Sequence, residues 1–384
     1  MFLGYRGING SIHHLGVVVH GDDDREVHRL KVPGSSTVHR RHATLLLPRW
    51  TTRSRCRTNC ATLCSVAAPS EWSCVACGGI PSDPLVFHAL CARALPERVE
   101  FRWGECDSCG SLTLLDGVDP SPWYENYERH RINGGGPGRT RITRMIGRVG
   151  ALAAPRLTAL PARWLPPHPT WLAQMRGRRI DMHMPILDVG CGQGAQLLHL
   201  HRFGFDNLLG IDPYLPIDRE EFHDGEVVLR QCGLDEVASD GFGLIGFFHS
   251  LEHVDDPLAM LLEARKCLGK SGTVVVELPI VGGRAWSRFR DHWPGLDTPL
   301  HRWLPSPRGM ALLAARAGFR LLRWRGDSVP YYYEQGLMIR NGCAPPAFKA
   351  TEVLSDREIS WCRAMARSDR GGNGSQGSFV LTPL

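Results

Sequence analysis

One nine-residue run limits the possible folds of this chain more than any other feature. It reads Ile-Leu-Asp-Val-Gly-Cys-Gly-Gln-Gly over residues 186–194, an apolar segment that ends in three alternating glycines. Glycines at such a turn adopt backbone angles that other residues avoid, and they let a ligand approach the main chain closely. The run therefore predicts a strand, a tight turn and a helix from Ala195, an arrangement that holds a nucleoside-bearing cofactor.

From Pro185 onward, short apolar runs alternate with helical patterns, which is typical of a doubly wound α/β sheet of parallel strands. The predicted strands cover residues 186–189, 208–211, 244–248, 273–277, 319–323 and 378–381. In open α/β sheets, ligands bind beyond the carboxyl ends of the strands. We therefore expect Asp188, Asp212, His249 and Pro279 to line one crevice.

The sequence predicts where two further helices begin, because each start has a capping residue. Asp255 or Asp256 can cap a helix that opens at Pro257, and another is expected to begin at Ser306. The first of these carries an apolar face and is expected to end at Gly269. The residues of that face are Leu258, Leu261, Leu262 and Leu268.

Two carboxylates help to choose the cofactor, because the glycines alone also fit a nicotinamide fingerprint. Asp188, directly before the turn, can anchor the cationic amino end of a methionine moiety. Asp212, at the tip of the second strand, can grip a ribose diol. The Tyr-x3-Lys pair that would supply a dehydrogenase with a proton donor is absent from the sequence. These features favour S-adenosylmethionine over NAD.

A second constellation of residues indicates a metal. Cys74-x2-Cys77 and Cys106-x2-Cys109 form two knuckles, each followed by a glycine. Four such thiolates can hold one zinc tetrahedrally, and a closed four-thiolate site leaves no position for water. A structural zinc in a small ribbon is the prediction, and free cysteines in a reducing compartment are the alternative.

Composition sets the outer bounds. The 384 residues carry a formal net charge of +6, but ten of the 45 Lys and Arg and only four of the 39 Asp and Glu lie in residues 1–70. Residues 71–384 therefore hold 35 of each sign and are neutral, which argues against a nucleic-acid partner. The sequence has no apolar run long enough to span a bilayer and no recognisable secretory signal, so we expect a cytoplasmic protein without a membrane partner.

These patterns divide the chain into four expected parts. Residues 1–72 lack sustained periodicity and are expected to be a disordered segment or an extension from a start site assigned too early. A zinc ribbon is expected over 73–125, a proline-interrupted linker with helices over 126–182, and the cofactor-binding α/β domain over 183–384.

At four places the second half resembles the class I S-adenosylmethionine-dependent methyltransferases. The signatures are Leu-Asp-Val-Gly-Cys-Gly at 187–192, Gly-Ile-Asp-Pro at 210–213, Leu-Glu-His-Val at 251–254 and Glu-Leu-Pro at 277–279. With the cysteine pairs in front, residues 73–384 resemble zinc-ribbon methyltransferases of bacterial polysaccharide and natural-product gene clusters, including sugar C-methyltransferases. The resemblance implies a Rossmann-like seven-stranded sheet, S-adenosylmethionine, a structural zinc and a small-molecule acceptor such as a sugar, sugar nucleotide or natural-product intermediate.

The resemblance also assigns cofactor residues. It implies that the glycines wrap the cofactor, that Asp212 holds the ribose hydroxyls, that His249 lies beside the methionine part, and that Leu234 and Asp235 flank the adenine. The glycines are Gly190, Gly192 and Gly194.

Transfer to a hydroxyl or carbon acid requires a base, and histidines near the crevice have a suitable pKa. His301 is the first candidate because it lies in a loop that resembles a His-bearing loop of sugar C-methyltransferases, and His253, His249 and Glu252 follow. The aromatic segment 286–303 is expected to form a lid that stacks on the acceptor, with a packed surface excursion as the alternative. The three tyrosines at 331–333 are candidates for further acceptor contacts.

Two other functions are compatible with the sequence. A zinc-ribbon RNA methyltransferase is the first, although the neutral folded body argues against it. A non-catalytic cofactor-binding protein is the second, and it is favoured if the crevice histidines are buried with their hydrogen bonds satisfied.

Overall fold

A computed structural model describes residues 72–91, 99–119, 170–175, 178, 180–215, 227–237, 241–343, 349–369 and 371–384. These residues all belong to one contact-defined unit of the chain. The expected N-terminal segment 1–72 lies almost wholly outside the described residues, as does most of the expected linker 126–182.

Eleven strands are present in the described residues. They are β1 Leu85–Leu90, β2 Glu100–Glu105, β3 Leu112–Leu114, β4 Ile186–Val189, β5 Leu208–Ile211, β6 Val227–Arg230, β7 Phe242–Phe248, β8 Leu268–Pro279, β9 Trp303–Leu304, β10 Phe319–Asp327 and β11 Gln376–Pro383. Seven of them form one sheet in the order β10-β11-β8-β7-β4-β5-β6, which places the glycine-turn strand β4 between β7 and β5. The described core packs on both faces of this sheet.

The expectation of a fully parallel sheet is wrong for the last strand. β11 lies between β8 and β10 and runs antiparallel to both. Its first residue, Gln376, pairs with Asp327, the last residue of β10. The start of β11 therefore lies beside the end of β10. Because the chain does not cross to the opposite ends of the strands before β11 begins, β11 runs antiparallel to β10.

The α-helices of the described residues are α1 Ala195–Arg202, α2 Pro257–Cys267, α3 Arg284–Phe289, α4 Pro307–Arg316, α5 Tyr331–Arg340, α6 Ala350–Val353 and α7 Asp356–Ser368. The starts predicted for α1, α2 and α4 are confirmed. Asp256 caps α2 by accepting the Ala259 N–H at 2.9 Å, and Ser306 caps α4 by accepting the Gly309 N–H at 2.9 Å. In the part of the chain that the structure describes, no helix has the length and apolar character needed to cross a membrane.

The predicted end and apolar face of α2 need correction. The helix ends at Cys267, and Leu268 already begins β8 instead of lying on the helix. Leu262 is 39% exposed, because it follows the buried Leu261 by one residue and points about 100° away around the helix. Two of the four leucines therefore do not belong to the buried face of α2.

A second, smaller sheet joins the two halves of the chain. Its order is β1-β2-β3-β9, with antiparallel neighbours throughout. Leu112 of β3 pairs with Leu304 of β9, and Thr113 pairs with Trp303. The sheet of the expected ribbon therefore continues into residues of the expected cofactor domain.

The expected aromatic lid is not an exposed stacking surface. Trp286, Trp293 and Trp303 are buried. Trp286 and Trp293 pack edge to face, with ring centroids 5.6 Å apart, and Trp303 donates through Nε1 to the Leu251 carbonyl at 2.9 Å. Burial of a large aromatic ring is favourable in free energy, so these three tryptophans are packed, as the alternative interpretation predicts.

Candidate active site

The glycine turn has the geometry that its sequence predicts. β4 ends at Val189, α1 begins at Ala195, and the three glycines between them have φ angles of 72°, 50° and 77°. A Cβ on Gly190 would lie 2.5 Å from the Cβ of Ser250, whose hydroxyl donates to the Val189 carbonyl. Position 190 therefore requires glycine for two reasons, the left-handed backbone angle and the closeness of Ser250.

Asp212 is half-buried just beyond the end of β5 and braces this turn. One carboxylate oxygen accepts the Gly192 N–H at 2.9 Å, and the other accepts the Tyr214 N–H at 2.9 Å. Each oxygen of a carboxylate has a further lone pair, so the side chain retains capacity to accept from hydroxyl groups. Asp212 thus lies where the sequence places it, and it also shapes the glycine turn.

Asp188 is 2% exposed near the carboxyl end of β4. Burial, and then the charge of Asp212, raise the pKa of Asp188 to about 8. A cationic group beside it would favour the ionised form. The two carboxylates can accept hydrogen bonds from an ammonium group and from ribose hydroxyls, so with the glycine turn they fit a cofactor that carries both.

The stretch expected to flank the adenine follows β6. Leu234 is buried at the start of a one-turn helix, Leu234–Glu236, and packs in the main hydrophobic core, whereas Asp235 is exposed.

A cavity of about 250 Å³ lies near the carboxyl ends of the central strands. Five of the candidate residues from the sequence line it, namely His249, Pro279, His301, Tyr331 and Tyr332. The other lining residues are Pro294, Gly295, Asp297, Val329 and Gln376. Asp188, Asp212 and His253 are not part of this lining, so the residues expected in one crevice do not all line the same cavity.

His249 directly follows β7 and has an unusual backbone for a non-glycine residue. Its φ is 58°, and its N–H donates to the Glu277 carbonyl at 2.7 Å. The side chain is 49% exposed, and its Nδ1 lies 3.4 Å from Oε1 of Glu252. Desolvation alone would lower the pKa of His249, but the nearby carboxylates, above all Glu252, raise it above the ordinary value.

Glu252, which the sequence offered as a candidate base or as a structural residue of the loop beneath the cofactor, is the centre of a cluster of three histidines. It is 0% exposed, and neither carboxylate oxygen accepts a hydrogen bond from any residue that the structure describes. Burial alone would raise the pKa of Glu252, but the imidazoles of His249, His253 and His301 hold it below the ordinary value. The spacing His-x2-Glu-His after a strand is the sequence signal for this cluster.

The two other histidines are held by backbone carbonyls. His301 is 7% exposed, donates through Nδ1 to the Gly295 carbonyl at 2.8 Å, and directs Nε2 at Oε1 of Glu252, 3.9 Å away. His253 donates through Nδ1 to the Leu300 carbonyl at 3.1 Å, and its ring packs edge to face on that of His301. Burial, and then the neighbouring charge of His253, lower the pKa of His301.

The four predicted cysteines converge at one point. The sulfur atoms of Cys74 and Cys109 are 3.6 Å apart, those of Cys77 and Cys106 are 3.8 Å apart, and all four lie within 4.8 Å of one another. Four thiolates around a zinc at about 2.3 Å would be about 3.8 Å apart, so the donor set fits a tetrahedral zinc. All four are free thiols in the structure and form no disulfide.

The cysteine cluster is docked on α4. The Ser306 hydroxyl donates to the Cys109 carbonyl, and the Ser306 N–H donates to the Ser111 hydroxyl at 3.1 Å. Arg316, near the other end of α4, donates to the carbonyls of Val75 and Ala76 at 3.0 and 2.9 Å. Both ends of α4 therefore hold the backbone of the two knuckles.

Residues 162–323 match the model of a family described as a methyltransferase domain, Methyltransf_23. The match includes every candidate residue from Asp188 to His301, and it excludes the four cysteines.

Curated relatives match about two fifths of the chain. One is a tRNA U34 carboxymethyltransferase of Geobacter sp. (strain M21), 31% identical over 166 residues, which are 39% of this chain and 50% of that protein. Another with the same name, from Methylococcus capsulatus, is 27% identical over 170 residues, 40% of this chain and 48% of that protein. The chain thus spans about half the length of the curated relatives it matches.

Solved structures are similar at low identity. A possible histamine N-methyltransferase from Thermotoga maritima is 14% identical with a TM-score of 0.36, covering 69% of this chain and 98% of that one. A mycolic acid cyclopropane synthase complexed with SAH is 18% identical with a TM-score of 0.35, covering 52% and 77%. The family match and the mixed seven-stranded sheet support a Rossmann-like, class I methyltransferase fold for the second half of the chain.

Proposed function

We propose that this chain is an S-adenosylmethionine-dependent methyltransferase that modifies a small molecule held in the cavity beside His249. The observation that carries the proposal is the braced glycine turn at the end of β4, within the segment that matches a methyltransferase-domain model. When bound, S-adenosylmethionine supplies an electrophilic methyl group. The protein aligns an acceptor with that group and accepts the acceptor's proton.

The cofactor side of the site uses the residues predicted from the sequence. Asp188 binds the amino end of the methionine part, directly or through water, and Asp212 binds the ribose hydroxyls. The three glycines wrap the cofactor, Leu234 and Asp235 flank the adenine, and His249 lies beside the methionine part. The raised pKa of Asp188 supports this assignment, because it marks a buried carboxylate that a cationic ligand would stabilise in its ionised form.

On the acceptor side, His249 is the proton acceptor that the geometry favours. It is half exposed, lines the cavity and is paired with Glu252. His301 lines the same cavity but is buried, with Nδ1 bonded to Gly295 and Nε2 directed at Glu252. His301 and His253 therefore act in this proposal as positioning residues, which reverses the order of the candidates taken from the sequence.

A small acceptor such as a sugar, a sugar nucleotide or a natural-product intermediate suits the cavity. Its volume of about 250 Å³ is close to the lower end of ligand pockets, which run from about 300 to 1,000 Å³. The described lining contains no Lys or Arg, whereas contact with nucleic-acid phosphates relies on those residues. Tyr331 and Tyr332 provide ring faces and hydroxyl edges for such a ligand.

A tRNA acceptor is the second candidate, because curated relatives carry the name tRNA U34 carboxymethyltransferase. Those relatives match about 40% of this chain and about half of their own length. A protein that binds the cofactor without turnover is the non-enzymatic alternative.

The cysteine cluster has a structural part in this proposal. Zinc held by Cys74, Cys77, Cys106 and Cys109 would tie the two knuckles together and, through Ser306 and Arg316, fix α4. A closed four-thiolate site leaves the metal no open coordination position for chemistry.

Methyl transfer can be tested with S-adenosylmethionine labelled in the methyl group. The full chain is incubated with a panel of sugar nucleotides and natural-product precursors, and in parallel with total tRNA. Label in a small product supports the proposal, whereas label in tRNA alone selects the second candidate. Cofactor binding by calorimetry with no labelled product in either arm would favour the non-enzymatic alternative.

A further inference from the structure

The cluster around Glu252 has a charge that the described protein does not compensate with hydrogen bonds. Glu252 is fully buried, and both of its carboxylate oxygens lack a hydrogen-bond donor among the described residues. A buried carboxylate without such partners is strongly destabilising unless a cation accompanies it. Its ion-pair partners among the described residues are the imidazoles of His249 and His301, at 3.4 and 3.9 Å, and neither Arg nor Lys is among them.

Two imidazoles are oriented toward the same point. One ring nitrogen each of His253 and His301 and one carboxylate oxygen of Glu252 lie within 4.8 Å of one another. Ligands at about 2.1 Å from a tetrahedral metal are roughly 3.4 Å apart, so small side-chain rotations would close the site. Two histidines and one glutamate around a shared point are a common donor set for a metal with an open position.

The hydrogen bonds behind these imidazoles fit the same interpretation. His301 donates through Nδ1 to the Gly295 carbonyl, and His253 donates through Nδ1 to the Leu300 carbonyl. Both bonds fix the tautomer in which Nε2 carries the lone pair. Metal-binding histidines typically donate their other ring N–H to a carbonyl or carboxylate in this way.

We propose that Glu252, His253 and His301 bind one divalent transition-metal ion at the edge of the acceptor cavity, separately from the four-cysteine cluster. Imidazole and carboxylate ligands suit zinc, manganese, iron or cobalt. Of the three proposed ligands, His301 also lines the cavity, which is why we place the ion at the edge of the cavity. His249 lies outside this ligand set, and its Nδ1 is 3.4 Å from the Glu252 carboxylate.

Metal content per chain tests this proposal independently of methyl transfer. The full chain and its Glu252→Gln variant are equilibrated with zinc or cobalt, dialysed, and analysed by inductively coupled plasma mass spectrometry. The variant should contain one metal equivalent less than the unmodified chain, whether or not the cysteine cluster is loaded. His183→Asn is the matched control, because His183 forms an exposed pair with Asp206 and should retain the full metal content.

The spectrum of the cobalt form identifies the ligands of the lost metal. The difference between the unmodified chain and Glu252→Gln should contain d–d bands without a thiolate-to-cobalt charge-transfer band. Equal metal content in the two proteins, or a difference spectrum with the thiolate band, would overturn the proposal. If the variant does not fold, zinc-edge X-ray absorption of the unmodified chain decides: nitrogen and oxygen scatterers beside sulfur support the site, and sulfur alone excludes it.

Discussion

Asp212 accepts the backbone N–H of Gly192 at 2.9 Å, and this contact couples the end of β5 to the glycine turn after β4. Asp212→Ala removes the acceptor for that N–H and the carboxylate proposed to hold the ribose. A hydrogen bond to a charged group contributes about 1.5–3 kcal/mol, so cofactor affinity should fall at least about tenfold. Isothermal titration calorimetry with S-adenosylmethionine measures the change. Asp206→Ala, at an exposed ion pair with His183, should retain the affinity of the unmodified chain.

Gly190→Ala tests the requirement for glycine at the turn. The left-handed φ of 72° and the 2.5 Å approach of a new Cβ to Ser250 should together lower the free energy of unfolding. Overpacking of this kind costs about 1–3 kcal/mol, to which backbone strain adds. Denaturant unfolding provides the measurement, and Gly117→Ala is the control because nothing lies within 4 Å of its new Cβ. Equal unfolding midpoints for the two variants would contradict this account of the turn.

The raised pKa of Asp188 predicts a pH dependence of stability in the cofactor-free protein. Folding raises the pKa from about 3.9 to about 8, so between these values the folded state binds more protons than the unfolded state. The Asp188 contribution should therefore be fully present below pH 4 and be lost as the pH rises towards 8, with a slope of at most about 1.4 kcal/mol per pH unit. Asp188→Asn should remove this slope in denaturant unfolding between pH 5 and 8. A slope that is the same in the variant would show that other groups cause it.

Cys77→Ser tests the cysteine cluster as a stabilising metal site. Loss of one thiolate should remove one zinc equivalent and lower the unfolding free energy by more than about 3 kcal/mol, a fraction of the roughly 10–16 kcal/mol that zinc contributes in small zinc modules. Thermal unfolding together with metal analysis provides the measurement. Cys343→Ser is the matched control, because Cys343 lies outside the cluster. Full zinc content in Cys77→Ser would exclude Cys77 as a ligand.

His249→Asn tests the assignment of the proton acceptor. A positioned general base contributes about 10²–10⁴-fold to the rate, so kcat should fall by about that factor once an acceptor is known. His183→Asn should leave kcat unchanged. If His301→Asn lowers kcat by such a factor while His249→Asn does not, His301 is the proton acceptor, as the sequence predicted, and His249 is not.

Local patterns predicted the strand before the glycine turn and the starts of α2 and α4. The apolar run before Gly190 and the caps at Asp256 and Ser306 act within a few residues, and each appears in the structure where the sequence places it. Their physical causes, which are backbone freedom at glycine and the satisfaction of N–H groups at helix starts, are visible in the sequence itself.

Other features depend on contacts between distant residues. The direction of β11 follows from the pairing of Gln376 with Asp327, and the two-residue strand β9 exists because β3 supplies its partner. The burial of Trp293 and the convergence of His301 on Glu252 likewise require the packed loop around Gly295. No window of sequence contains both members of these pairs, so composition and periodicity could not reveal them.

The pairing of β3 with β9 has a consequence for synthesis on the ribosome. Leu112 emerges early, whereas its partner Leu304 emerges only after residues 113–303 have been translated. Until then β3 presents an open strand edge, and such edges template aggregation with other nascent chains. Early zinc capture by the cysteines would close the knuckles during this interval but would leave that edge uncovered. We therefore expect the yield of soluble protein to depend on translation speed between these two strands.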